Sequence, residues 1–252
     1  MDTDAILTEA ESALRGGDLN AAEAVLTRSW PDIAKMPGDA LHLLADIRFR
    51  SGKAADAESL LRAATKVEPD SQRHHIALGH TLASAGNFKA ACESYRRALQ
   101  INEAWPGLLR TLSQTALDAG DLVEAERAAR RLIDTAPTAM AWSALSSALR
   151  AQAKGAEALA AADEGIRLEP NERSVQHSRG ASLLMVGRAA EALTIFQELV
   201  ANGVREPVLS VNHGTALLML GRRSEADAVF DDALKRWPHA PNLRAQIAAR
   251  RR

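Results

Sequence analysis

Three columns of small residues run through this 252-residue sequence at an interval close to 34. When the glycine of a recurring Gly-polar phrase is set at position 15 of a unit, the units start near 3, 38, 72, 106, 139, 173 and 207. Position 8 then holds Ala10, Ala45, Gly79, Ser113, Ser146, Gly180 and Gly214. Position 15 holds Gly17, Gly52, Gly86, Gly120, Ala153, Gly187 and Gly221, and position 20 is alanine each time, from Ala22 to Ala226. Such register cannot come from composition alone. It implies a chain assembled from seven copies of one supersecondary unit, each too small to bury its own apolar face.

Each column has a physical reading. Apolar residues three and four apart before the glycine, such as Leu41, Leu44 and Ala45, make positions 1–14 a helix. A glycine at position 15 takes positive φ and ends it. Positions 18–30 form a second helix, with stripes such as Ala91, Tyr95 and Ala98 or Ala226, Phe230 and Ala233. Small side chains at positions 8 and 20 let the two axes approach closely. Proline at position 32 (Pro69, Pro137, Pro170, Pro238) stops the second helix. Composition agrees: 46% of residues are hydrophobic but only 4% aromatic, and the apolar residues are mostly Ala and Leu, both strong helix formers.

The pattern resembles the tetratricopeptide repeat family, whose 34-residue helix-turn-helix units carry small residues near positions 8, 20 and 27 and proline at 32. The resemblance spans nearly the whole chain and implies an all-α fold: a right-handed α-solenoid of seven units plus a C-terminal capping helix over about 242–251, one array across 1–252. Departures are Leu132 and Leu199 at position 27, Ala34, Glu103 and Val204 at position 32, and Ala153 at the turn. The capping helix should turn Leu243 and Ile247 inwards and leave its basic face, with the Arg250-Arg251-Arg252 tail, in water.

Several function classes fall away. Net charge is −1, divided as −6 over residues 1–126 and +5 over 127–252, and the basic residues lack interleaved aromatics, so nucleic acid is not an expected partner. Cys92 is the sole cysteine, ruling out an intrachain disulfide; at position 21 it should be a buried small hydrophobe. The acidic start Met1–Ala5 is unlike a signal peptide and no apolar run nears the ~20 residues that span a bilayer, so a cytoplasmic protein without membrane contact is expected. Phosphate loops, His-Glu-x-x-His and Gly-x-Ser-x-Gly are missing. Adjacent His74 and His75 point about 100° apart on a helix and cannot share one ion. Glu93, Glu124, Glu126, Glu157 and Glu191 read as solvated second-helix charges. The expectation is a chain without catalytic residues, metal or cofactor.

In proteins of this family the first helices line the inside of the superhelix, with positions 2, 5, 9, 12 and 13 reaching into a concave groove. Carried over, those positions make a graded lining of Asp39, His42 and Asp46, then Arg73, His80, Arg110, Gln114 and Arg150, then His177, Met185, Val211 and Met219. A basic middle and an apolar, methionine-bearing end suit a protein or peptide ligand with acidic and apolar residues. The carboxylate clamp of some relatives is not reproduced, since the position 5 and 9 pairs are Leu7 with Glu11 and His42 with Asp46. The resemblance therefore implies a monomeric scaffold or adaptor. The alternative is the substrate-recruiting region of a larger modifying enzyme, because similar bacterial arrays precede glycosyltransferase, sulfotransferase or oxygenase domains.

Overall fold

The computed structural model describes residues 2–102 and 105–251. Glu103, the third repeat's residue at position 32, and the tail residue Arg252 therefore lie outside the described residues. Among those described there is no strand. Seven helix-turn-helix pairs follow one another: α1 (Thr3–Arg15) and α2 (Leu19–Ser29), α3 (Gly38–Arg50) and α4 (Ala54–Val67), α5 (Gln72–Ser84) and α6 (Phe88–Ile101), α7 (Pro106–Asp118) and α8 (Leu122–Thr135), α9 (Ala139–Ala151) and α10 (Gly155–Leu168), α11 (Arg173–Met185) and α12 (Ala189–Ala201), α13 (Pro207–Met219) and α14 (Arg223–Arg236). A nine-residue helix, α15 (Leu243–Arg251), follows the last pair, and a short 3-10 turn at Ile33–Lys35 follows α2. No helix among the described residues is long and apolar enough to cross a membrane.

The chain divides into two compact units, Met1–Asp121 with α1 to α7 and Leu122–Arg252 with α8 to α15. Inside each, a first helix packs on its own second helix and that second helix packs on the next first helix. The position-20 alanines are fully buried in both units, for example Ala22, Ala57, Ala158 and Ala226 at 0% exposure. A larger residue there would separate the paired axes.

The turn column is explained by backbone angle alone. Gly52 has φ +76° with no heavy atom within 4 Å of where a Cβ would stand. It closes α3 through hydrogen bonds from Gly52 N to Phe49 O and from Lys53 N to Arg48 O, both 2.9 Å, the paired pattern of a left-handed helix stop. Ala153 performs the same closure at φ 60°, with Ala153 N to Arg150 O and Lys154 N to Leu149 O. The fifth repeat therefore keeps its turn and accepts the strain of an L-residue in it.

Position 8 follows a different rule, one of space. A Cβ on Gly79 would lie 2.3 Å from the Tyr95 ring, one on Gly180 2.5 Å from the Phe196 ring, and one on Gly214 2.3 Å from the Phe230 ring. Those rings occupy position 24 of the same repeats, whereas the repeats with Ala10 and Ala45 carry Leu26 and Leu61 there. Glycine at 8 and an aromatic at 24 are two halves of one packing solution, with ring faces laid on bare backbone. In the second unit close approach also serves hydroxyls: Ser143 Oγ and Ser178 Oγ stand 2.7 Å apart, and Ser146 Oγ donates to Ala158 O at 2.8 Å. The hydroxyls of Ser143, Ser146 and Ser178 are thereby satisfied by protein partners.

The C-terminal helix buries Leu243 and Ile247 in the same cluster as Leu217, Val211 and Phe230. Its basic face departs from expectation. Arg251 pairs with Asp227 at 2.9 Å and Asp231 at 2.7 Å, and Arg250 Nε donates to Thr215 Oγ1 at 2.9 Å. These arginines fasten α15 onto the last repeat. Two carboxylates also differ from the solvated reading. Glu124 is buried and pairs with Arg127, while Glu126 accepts from Arg130, Gln152 (2.7 Å) and Lys154 (3.2 Å). Those donors hold the Glu126 carboxyl down to about 2.

Candidate functional site

In the first unit, α3 and α5 lie side by side and leave a cleft of about 230 Å³ between them. His42, Asp46 and Phe49 line it from α3, and His80 and Thr81 from α5. Three of the expected site residues (His42, Asp46, His80) thus converge on one cavity. Phe49 is 41% exposed and forms its apolar wall. The ring of His80 lies edge-on to Tyr95 with centroids 5.5 Å apart, and burial lowers its pKa. Asp46 is joined to Arg50 at 2.9 Å.

His42 sits deeper. Its Nδ1 is 3.0 Å from Nδ1 of His74, whose Nε2 lies 3.0 Å from Glu68 Oε2. Burial, then the positive charge of Arg73 and the neighbouring His74, push the His42 pKa down to about 4. It is neutral at pH 7. Because a carboxylate only accepts, the hydrogen bond to Glu68 Oε2 is donated by His74 Nε2. Asp39 stands 4.0 Å from His74 Nε2 and 3.6 Å from Arg73. Asp39, Glu68 and His74 offer ligand atoms all within 4.8 Å of one another, a set able to hold a metal ion.

Reasoning from the spacing of His74 and His75 missed that set, since it considered histidines on one helix and no carboxylate from another. A signal was available. At position 3 the seven repeats read Ala5, Ala40, His74, Leu108, Ala141, Val175 and Leu209, so one polar residue interrupts an apolar column. On α7, Arg110 and Gln114 are exposed, with Gln114 Nε2 donating to Asp118 at 3.3 Å.

The second unit sorts its expected residues differently. Met185 and Met219 are exposed at 43% and 49%, accompanied by Val186 and Leu220 at the ends of α11 and α13. Arg150 is not a free guanidinium: it is half-buried and donates to Ser178 O and Ser147 Oγ, both at 3.0 Å, bridging α9 to α11. Burial brings its pKa down to about 10, still charged at neutral pH. His177 is half-buried, packs on Phe196 and lies 3.0 Å from Asn212 Nδ2, with burial first and Arg150 second lowering it to about 4. Val211 is 2% exposed and belongs to the core, in the cluster that Leu243 and Ile247 of α15 complete. Position 5 of the last repeat is interior because the capping helix packs against α13.

The sequence matches the tetratricopeptide repeat model over residues 42–108 and 110–173, more than half the chain. This protein belongs to the tetratricopeptide repeat family. Solved members share its fold at low identity. A tetratricopeptide repeat protein from Parabacteroides merdae is 16% identical with a TM-score of 0.78, covering 99% of this chain and 98% of that one. A thermophilic TPR protein of Thermus thermophilus is 23% identical with a TM-score of 0.62, over 71% of this chain and 98% of the other. The Cut9-Hcn1 hetero-tetramer of APC/C gives 11% identity and a TM-score of 0.63, with 99% of this chain covering 49% of that one. None of the curated proteins matches the sequence.

Proposed function

We propose that this tetratricopeptide repeat protein is a non-catalytic interaction module that seats a segment of another protein against its first helices. The cleft between α3 and α5 carries the reading. It joins an exposed aromatic wall, Phe49, to an acidic group, Asp46, and two imidazoles, His42 and His80. Such a mixture suits a short peptide: an apolar side chain against Phe49, and polar groups held by Asp46 and the imidazoles. Asp39, Arg73, Arg110 and Gln114 extend the polar surface along the first unit, while Met185 and Met219 offer adaptable apolar contact in the second. Val211 and Arg150 have no part in it, being core and bridge. Cut9-Hcn1, a complex between chains, supports the use of this fold for binding protein.

A photo-crosslinking residue placed at Phe49 or His80, with another at the exposed Arg62 of α4 as control, tests the cleft in native cell extract. The expected outcome is one partner crosslinked from Phe49 and His80, absent at Arg62 and competed away by unmodified protein. Equal labelling from all three positions would refute the cleft as the binding surface.

A further inference from the structure

We propose that Asp39, Glu68 and His74 form a binding site for a divalent transition-metal ion of the zinc class. Borderline ions of this kind take imidazole nitrogen together with carboxylate oxygen. The three donors arrive from separate places: Asp39 from the first turn of α3, Glu68 from the end of α4 and His74 from the first turn of α5. His74 Nε2 lies 3.0 Å from Glu68 Oε2 and 4.0 Å from Asp39 Oδ1. Donors about 2.1 Å from a tetrahedral ion stand roughly 3.4 Å apart, so small side-chain shifts complete the geometry. Asp39 is half-exposed, leaving a coordination position open to water.

The repeat supplies its own control. Glu169 occupies in the fifth repeat the position that Glu68 holds in the second, and its Oε1 accepts from Ala139 N at 3.3 Å, a helix-start contact. The residues equivalent to Asp39 and His74 there are Met140 and Val175, neither able to ligate. Helix capping therefore accounts for a glutamate at this position but not for the acid and the fully buried imidazole gathered around Glu68. Gly38 adds to the case: its missing Cβ leaves the space that the Glu68 carboxylate fills, 2.3 Å from where a Cβ would be. The other ring nitrogen of His74 meets His42, the outer-shell partner that fixes a ligand's orientation. With an ion on Nε2, His74 carries its proton on Nδ1 and donates it to His42. A neutral His42 then holds its own proton on Nε2. Arg73, 3.6 Å from Asp39, is the cation that the metal displaces.

The test is calorimetric titration of the chelator-stripped full chain with Zn²⁺, alongside Co²⁺ absorption spectra. One ion per chain is expected, with ligand-field bands of nitrogen and oxygen donors and no thiolate charge-transfer band. His74→Val, which restores the residue of the sixth repeat, should keep helical content and lose affinity on the order of 100-fold or more. Asp39→Asn and Glu68→Gln should each lose roughly tenfold or more, and Arg73→Ala should tighten binding. His75→Gln is the control; its Nε2 lies 2.9 Å from Pro69 O and takes no part. Nitrogen-15 shifts of His42 should report Nε2–H in the metal-loaded protein. Absence of stoichiometric binding by the wild type, or wild-type affinity in the Asp39, Glu68 and His74 variants, overturns the site. Neither result bears on whether the cleft binds a partner.

Discussion

The pairing of glycine at position 8 with an aromatic at position 24 yields a quantitative double-mutant test at Gly180 and Phe196. In Gly180→Ala the added Cβ would stand 2.5, 2.8 and 3.2 Å from three ring carbons of Phe196, whose side chain is fully buried. Ordinary contact begins near 3.4 Å, so the ring must retreat by about 1 Å into packed neighbours, which costs about 1–3 kcal/mol. Alanine's better helix propensity returns about 1 kcal/mol. The net expectation is a loss of about 0–2 kcal/mol. Phe196→Leu alone removes ring volume that its surroundings cannot fully fill, a further loss of about 1–2 kcal/mol and well short of truncation to alanine. Combined, the two changes reproduce Ala45 with Leu61 of the second repeat, so the new methyl occupies space the ring vacated. The double variant should fall within about 1 kcal/mol of wild type, a favourable coupling of about 2 kcal/mol. Urea unfolding followed by far-ultraviolet circular dichroism on all four proteins measures it. Purely additive losses would refute the claim that positions 8 and 24 are one packing unit.

Ala153→Gly should stabilise the second unit by about 0.5–1 kcal/mol, because relief of the left-handed strain at φ 60° exceeds the unfolded-state entropy of glycine; a lowered denaturation midpoint would contradict it. His177 has a folded pKa of about 4 against an ordinary 6.5, so the unfolded chain binds the extra proton between those values. Its contribution is whole above pH 6.5, declines as pH falls and is lost by about pH 4, an effect of about 2–3 kcal/mol. His177→Leu should flatten that part of the stability profile, measured by denaturation at pH 7, 5.5 and 4. Glu126 acts lower: its carboxyl is held to about 2, so its contribution persists until pH falls below the ordinary value of 4.5 and drains away towards 2. Glu126→Gln should cost about 1–2 kcal/mol at pH 7 and nothing additional at pH 2. Cys92 is 3% exposed with its thiol pushed upwards by burial, so native labelling by a thiol reagent should be slow and should accelerate in denaturant.

Much of the fold is legible because each feature that defines a repeat acts locally. The seven first helices begin at Thr3, Gly38, Gln72, Pro106, Ala139, Arg173 and Pro207, where the glycine and alanine columns place them. A left-handed turn, a small residue at a helix crossing and a proline stop each leave a mark at one position, and repetition amplifies the mark. The site is less legible because its groups act across repeats. Position 12 of the fifth repeat was expected to face a ligand, but a carbonyl of the next first helix, Ser178 O, lies within reach of Arg150 and takes its guanidinium. Val211 follows the family's position 5 until α15 packs against its helix, a tertiary event that position numbers do not encode. Glu124 illustrates the same limit in a second helix: a charge on the nominally outer face is 5% exposed.

Repetition also supplies what a single sequence usually lacks, an internal reference for cost. An imidazole at a column otherwise filled by Ala40, Leu108, Ala141, Val175 and Leu209 is a departure the fold does not require, since neighbouring repeats pack the same position with hydrocarbon. Burying it demands partners for both ring nitrogens. The chain provides Glu68 for one and His42 for the other. The two histidines form a linked pair, and the pair runs from the carboxylates of Asp39 and Glu68 to the wall of the cleft. A purely structural device would be replaced without loss by the apolar residues of the other repeats. His74→Val combined with His42→Val makes that replacement directly: unchanged stability together with lost partner crosslinking at Phe49 would show that the pair is kept for what the cleft does. A large fall in stability with crosslinking intact would assign the pair to the fold instead.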